Sequence, residues 1–198
     1  MAEVLNPDHS CLCEGDPSLL LWGVPILESD STAQFARNTL VAVSDKLGEH
    51  SARRSEPDVI VTEKSGALAF VEVKYRSAND RRSFDYQGWT KYLESTDCFL
   101  DPDGVRESGH YELARNWRIA WDLAQGRPFR LINLGPPSLF NSSEADRLDS
   151  FVNGLNQANS ASFERLTWDT LLGRIREKPP WLKDYLQERL DHLPDCST

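Results

Sequence analysis

The 198-residue sequence predicts an α/β fold built on a mixed central β-sheet flanked by helices. Two short β-branched runs, Val59–Val61 and Ala67–Val73, flank the turn-like Glu63-Lys64-Ser65-Gly66, and both read as strands. Ile60, Thr62, Leu68 and Phe70 fall on one face, Val59, Val61, Ala69, Val71 and Val73 on the other. Strands apolar on both faces are central ones covered by helices. Helical stripes before and after the hairpin supply that cover, and the order helix, strands, helix, helix, strand, helix, strand, helix suits a layered α/β architecture.

The elements follow in chain order. Residues 1–18 are polar, with Pro7 and Pro17, and read as a loosely ordered acidic segment. Residues 19–198 read as a single domain, a length that sustains a full core. Residues 29–32 offer helix caps before a helix over 33–47, whose apolar stripe is Phe35, Leu40, Val43 and Leu47 and which stops at Gly48. Residues 49–54 suggest a first, poorly apolar strand, and the hairpin follows. A polar loop over 77–82 leads to a helix over 84–94, then to a loop over 97–108. Residues 110–125 form a strong helix with Leu113, Trp117, Trp121 and Ala124 on one face; the two tryptophans are placed in the core because they lie on that stripe. The span 97–127 is expected as a helical insertion. A buried strand over 129–134 ends at Gly135-Pro136-Pro137. Helices over 143–156 and 168–177 bracket an edge strand at 163–166, and Pro179-Pro180 precedes a last amphipathic helix over 181–190.

Composition narrows the function classes. The longest apolar run, 19–27, is broken by Gly23 and Pro25 and is too short to span a membrane. It also lacks the basic leader of a signal peptide. Four scattered cysteines suggest a reducing compartment, so the expected location is cytoplasmic. His9, Cys11 and Cys13 resemble half a zinc site with no matching second pair. The formal charge is −9, unevenly spread. Residues 1–36 carry six acids and no Lys or Arg, whereas 74–91 carry five bases (Lys74, Arg76, Arg81, Arg82, Lys91) against Asp80 and Asp85. That basic stretch could meet phosphates. No Gly-x-Ser-x-Gly elbow and no phosphate-cradling glycine loop is present.

The chemistry-bearing residues sit on the hairpin. If its loop is Lys64-Ser65-Gly66, Glu63 pairs with Ala67 and the register places Asp58 opposite Glu72, with Gly66 at the left-handed position such loops need. Opposed side chains lie roughly 4.5–5.5 Å apart at Cβ, and like charges there repel, so the pair asks for a cation. Lys74, two residues beyond Glu72, points to the same face.

Pro57-Asp58 with Glu72-Val73-Lys74 resembles the signature of the PD-(D/E)XK nuclease superfamily, and the resemblance implies a restriction-endonuclease-like fold. It covers residues 28–92 in useful detail. It implies that Asp58 and Glu72 hold Mg²⁺ or Mn²⁺, that Lys74 serves the attacking water and the phosphate, and that a DNA phosphodiester is hydrolysed. Members often carry a glutamate in the helix before the first strand; here that helix has Gln34, with Glu28 just before it. Some place a glutamine in the helix after the acid-x-Lys strand, and Gln87 occupies that place, with Lys91 one turn on. The expected site is therefore Asp58, Glu72, Lys74 and Gln87, with Arg76, Arg81, Arg82 and Lys91 toward DNA. The expected partners are a DNA substrate and no membrane, with a homodimer left open. The alternative is a nuclease-like fold that does not cleave and serves as a binding or assembly module, motivated by Gln34 and by the net acidity.

Overall fold

The computed structural model describes residues 17–49, 54–75, 77–158 and 161–175, together with Trp181, Asp184, Tyr185 and Glu188. The protein is α/β, with a six-stranded mixed sheet flanked by helices. Its strands are β1 (Ser18–Leu21), β2 (Val24–Pro25), β3 (Val59–Thr62), β4 (Leu68–Val73), β5 (Phe129–Gly135) and β6 (Ser162–Thr167), in the spatial order β2-β1-β3-β4-β5-β6. The pairs from β2 through β4 are antiparallel, and β4, β5 and β6 run parallel.

The central hairpin has the expected register. Val59 pairs with Val71 and Thr62 with Leu68, and the Glu63 amide donates to the Ala67 carbonyl. Gly66 sits at φ +84°, and a Cβ there would lie 2.1 Å from the Arg127 guanidinium. Glycine is favoured by this conformation, and any larger residue would also displace the Arg127 side chain.

The first two strands were not expected. Residues 19–27 fold as a hairpin because Trp22 (φ 48°) and Gly23 (φ 69°) both adopt positive φ, as a two-residue turn of this kind demands. Tryptophan is an uncommon residue there, so the turn carried little signal. β1 begins at Ser18, inside the span read as loosely ordered; residues 1–16 lie outside the described residues, as do Cys11, Cys13 and His9.

The helices are α1 (Ser31–Lys46), α2 (Trp89–Leu93), α3 (Pro102–Ser108), α4 (Tyr111–Ala124), α5 (Ser142–Asn153) and α6 (Trp168–Arg174). Asp30 caps α1 by accepting from the Thr32 and Ala33 amides. Leu40, Val43 and Leu47 of the expected stripe pack on the core together with Ala33 and Ala36, whereas Phe35 is 62% exposed. Residues 84–88, expected as helix, form turns instead, with Tyr86 N donating to Ser83 O and Ser83 Oγ to Asp85. Local side-chain bonds of this kind compete with helix. The span expected as a loop over 97–108 contains α3, whose signals are strong in hindsight: Asp101 caps the Gly104 amide, Pro102 opens the first turn and left-handed Gly109 closes it. The strand expected at 49–54 is described only at Glu49 and Arg54, neither of them in a strand, and the helix over 181–190 only at four residues.

Two apolar layers hold the sheet. One face packs Ile60, Leu68, Phe70, Phe129 and Leu131 against α1 to α5, with Trp117 and Phe151 fully buried. The other packs Val61, Ala69, Val71, Ile132, Leu134 and Leu166 against Trp168 and Leu171 of α6. α4, within the span read as an insertion, buries Leu113, Trp117, Ile119, Ala120 and Leu123 beside the central strands. No described helix is long and apolar enough to cross a membrane.

Candidate functional site

The site lies at the carboxyl ends of the parallel strands β4 and β5, the end of an open α/β sheet where ligands generally bind. One step beyond the Val59–Val71 pair, Asp58 stands opposite Glu72. Its carboxylate accepts from the Val73 amide at 2.8 Å, which ties the end of β3 to β4. Glu72 and Lys74 are both buried. Lys74 Nζ donates to Glu72 Oε1 at 2.7 Å and to Glu112 Oε2 at 2.5 Å. Asn116, fully buried, donates through Nδ2 to Glu72 Oε2 at 2.7 Å. Both oxygens of Glu72 are therefore held, and its carboxylate has one orientation.

Each side chain is placed by an element that the local sequence specifies. Glu72 and Lys74 come two residues apart on β4, hence on one face. Glu112 and Asn116 come four residues apart on α4, one turn of one face. Asn133 of β5 pairs in register with Glu72 and is fixed by reciprocal amide bonds with Asn79, each 3.0 Å. Beside them the Lys74 carbonyl accepts from Trp168 Nε1 at 3.2 Å, and the Lys74 amide donates to Leu134 O at 2.7 Å.

Electrostatics follow from this packing. Burial raises the Glu72 pKa, and the like charges of Glu112 and Asp58 add to it against the opposing pull of Lys74. Burial alone would lower the Lys74 pKa, but its bonds to Glu112 and Glu72 outweigh that, and the net shift is upward. Burial likewise opposes ionisation of Glu112, yet the Lys74 ammonium, Arg115 and a backbone donor from Asp80 hold its pKa down. Lys74 thus stays an ammonium and Glu112 a carboxylate, while Glu72 is the acid that takes up a proton first.

Among the described residues, no three His, Cys, Asp or Glu side chains are grouped so as to hold a metal by themselves. A hard cation here would draw on Asp58 and Glu72 and complete its shell with water, which suits magnesium. Burial and Glu112 do most to raise Glu72, and Asp58 adds a smaller repulsion of the same sign, which a cation between the two carboxylates would relieve.

The other expected residues lie outside the bonded cluster. Gln87 is exposed, its Nε2 3.5 Å from the Asp85 carbonyl. Lys91 lies over the Tyr92 ring and 4.0 Å from Glu49. Arg81 and Arg82 are exposed and paired with Glu144 at 3.5 Å and Asp80 at 3.0 Å; Arg76 lies outside the described residues. Glu28 is exposed, and Gln34 Nε2 bonds the Glu28 carbonyl at 3.3 Å. The acid that joins the cluster is Glu112, together with Asn116. Neither could be paired with β4 from the sequence, since Glu112 is 38 residues from Lys74 and Asn116 is 44 from Glu72. The one local signal was an acid in the first turn of a strong helix. No family model, curated protein or solved structure matches the chain.

Proposed function

We propose that the protein is a metal-dependent nuclease of restriction-endonuclease-like fold that hydrolyses phosphodiester bonds in DNA. The observation that carries this reading is the burial of Glu72 and Lys74 in one bonded cluster, with Asp58 opposite Glu72 at the end of the central strands. Asp58 and Glu72 are the residues that would hold Mg²⁺ or Mn²⁺. When bound, such an ion supplies an acidified water and offsets charge on the phosphate. Because its pKa is raised, Lys74 acts as a fixed positive charge and hydrogen-bond donor toward the phosphate oxygens, not as a base. Glu112 and Asn116 are positioning residues that keep Lys74 and Glu72 aimed.

The test is a cleavage assay with Mg²⁺ or Mn²⁺ on linear, nicked, branched and single-stranded DNA. Glu72→Gln and Lys74→Ala should each lower the rate by orders of magnitude while far-UV circular dichroism stays unchanged. Absence of turnover in the wild-type protein on every substrate would select the competing reading, a binding or assembly module that does not cleave.

A further inference from the structure

We infer that the mouth of this site accepts an unpaired strand of DNA, with bases stacked on Phe84 and Tyr86 and phosphates on Arg81 and Arg82. The identity of the polymer rests on the nuclease reading; the preference for unpaired nucleotides rests on the geometry that follows.

Phe84 is 49% and Tyr86 41% exposed, while Trp89 and Tyr92, a few residues on, are buried. The Tyr86 ring is held in place. Tyr86 meets Tyr111 edge to face at 5.1 Å, and Trp89 meets the same ring at 5.2 Å. Trp89 Nε1 donates to Ser83 O at 2.8 Å, and Arg82 N donates to Gly109 O at 2.9 Å. A Cβ on Gly88 would lie 2.4 Å from the Tyr86 ring, so glycine is what lets that ring lie against its own backbone. The loop is thereby pinned to the start of α4. Tyr111 immediately precedes Glu112 on α4, so the Tyr86 ring that packs on it lies beside the helical turn that reaches Lys74.

Cations interleave with the rings. The Arg82 guanidinium lies 5.5 Å from the Tyr86 centroid, and that of Arg106 lies 5.9 Å from the Phe84 centroid. Arg81 and Arg82 remain more than two-fifths exposed at the side chain, each with one acidic neighbour. Exposed pairs of this kind are weak and exchange readily for a phosphate. Aromatic rings alternating with arginines are how single strands are seated, because every base offers a flat face. In a duplex those faces are covered by neighbouring base pairs, and only the phosphates remain to be bound.

The experiment is fluorescence anisotropy with labelled oligothymidylate, a hairpin duplex of equal length and oligouridylate, in EDTA so that binding is read without cleavage. The single DNA strand should bind about tenfold or more tighter than the duplex. Tyr86→Ala and Phe84→Ala should each weaken single-strand binding roughly five- to a hundredfold, with Tyr86→Phe near wild type. The Arg81→Ala, Arg82→Ala pair should lower the salt slope by about one to two units. Duplex binding as tight as single-strand binding, or aromatic variants with unchanged affinity, would overturn the inference, and tighter binding of oligouridylate would overturn the assignment to DNA. Single-strand binding that depends on Tyr86, without cleavage on restoring Mg²⁺, would sink the nuclease reading alone. Duplex cleavage indifferent to Tyr86 would sink the stacking inference alone.

Discussion

At the scale of single residues, Lys74 shows how a buried charge is made tolerable. It sits between two carboxylates, each within hydrogen-bond distance, and removing one of them costs Lys74 a charge-assisted hydrogen bond while the other still balances its charge. Glu112→Gln should therefore cost about 1–3 kcal/mol in stability and release Lys74 toward Glu72. If Glu112 positions Lys74, the same variant should also move the acid limb of the pH–rate profile to lower pH, since burial still raises Glu72 but the like charge of Glu112 that adds to it is gone. An unmoved limb would reduce Glu112 to a structural partner. If Asp58 and Glu72 hold a metal as proposed, Mn²⁺ affinity read by calorimetry should fall as the pH drops and Glu72, its pKa raised, takes up a proton, because the ligand must be ionised.

His110 is a second informative residue. It is fully buried, neither ring nitrogen has a hydrogen-bond partner, and Glu144 Oε1 lies 3.5 Å from Nε2. Burial, reinforced by Arg81, Arg147 and Arg165, depresses its pKa from 6.5 to about 4. Between those values the unfolded chain binds more protons than the folded one, so stability is complete above about pH 6.5 and declines toward pH 4, by up to roughly 3 kcal/mol. Denaturant midpoints across that window should show the decline, and His110→Leu should flatten it; a variant as pH-sensitive as wild type would assign the effect elsewhere.

Among the elements, the β3–β4 hairpin sets the site because its turn sets its register. A one-residue slip would send every side chain of β4 to the opposite face and take Glu72 away from Asn116. Gly66→Ala combines a disfavoured φ with a clash against Arg127, so a loss of about 1–3 kcal/mol is expected in urea unfolding, with activity falling further than stability if the register loosens. α4 is the other decisive element. Its first turn carries Glu112 and its second Asn116, while Trp117 fills the layer beneath beside Phe129, ring centroids 4.8 Å apart. Trp117→Ala should cost about 3–5 kcal/mol, measured by thermal melting.

At the scale of the whole molecule, the charge is divided. The chain carries −9 overall, yet the loop at the site mouth presents exposed Arg81 and Arg82. Any association with DNA should be strongly salt-dependent and confined to that side. The sequence alone determined the hairpin, its register, the meeting of Glu72 with Lys74 and the mixed-sheet α/β architecture, because each follows from short-range rules: alternation, turn chemistry and helical stripes. It missed the Trp22-Gly23 hairpin and α3, where the rules were atypical or passed over. Tertiary packing alone decided that the cluster's further acid is Glu112 from α4, not Gln34 or Glu28, and that Gln87 and Lys91 stay outside it. The reason is that a helix crossing the sheet can bring any of its turns to the strand ends. Its depth is chosen by how Trp117, Leu113 and Ile119 fit the layer, and no spacing in the linear sequence encodes that choice.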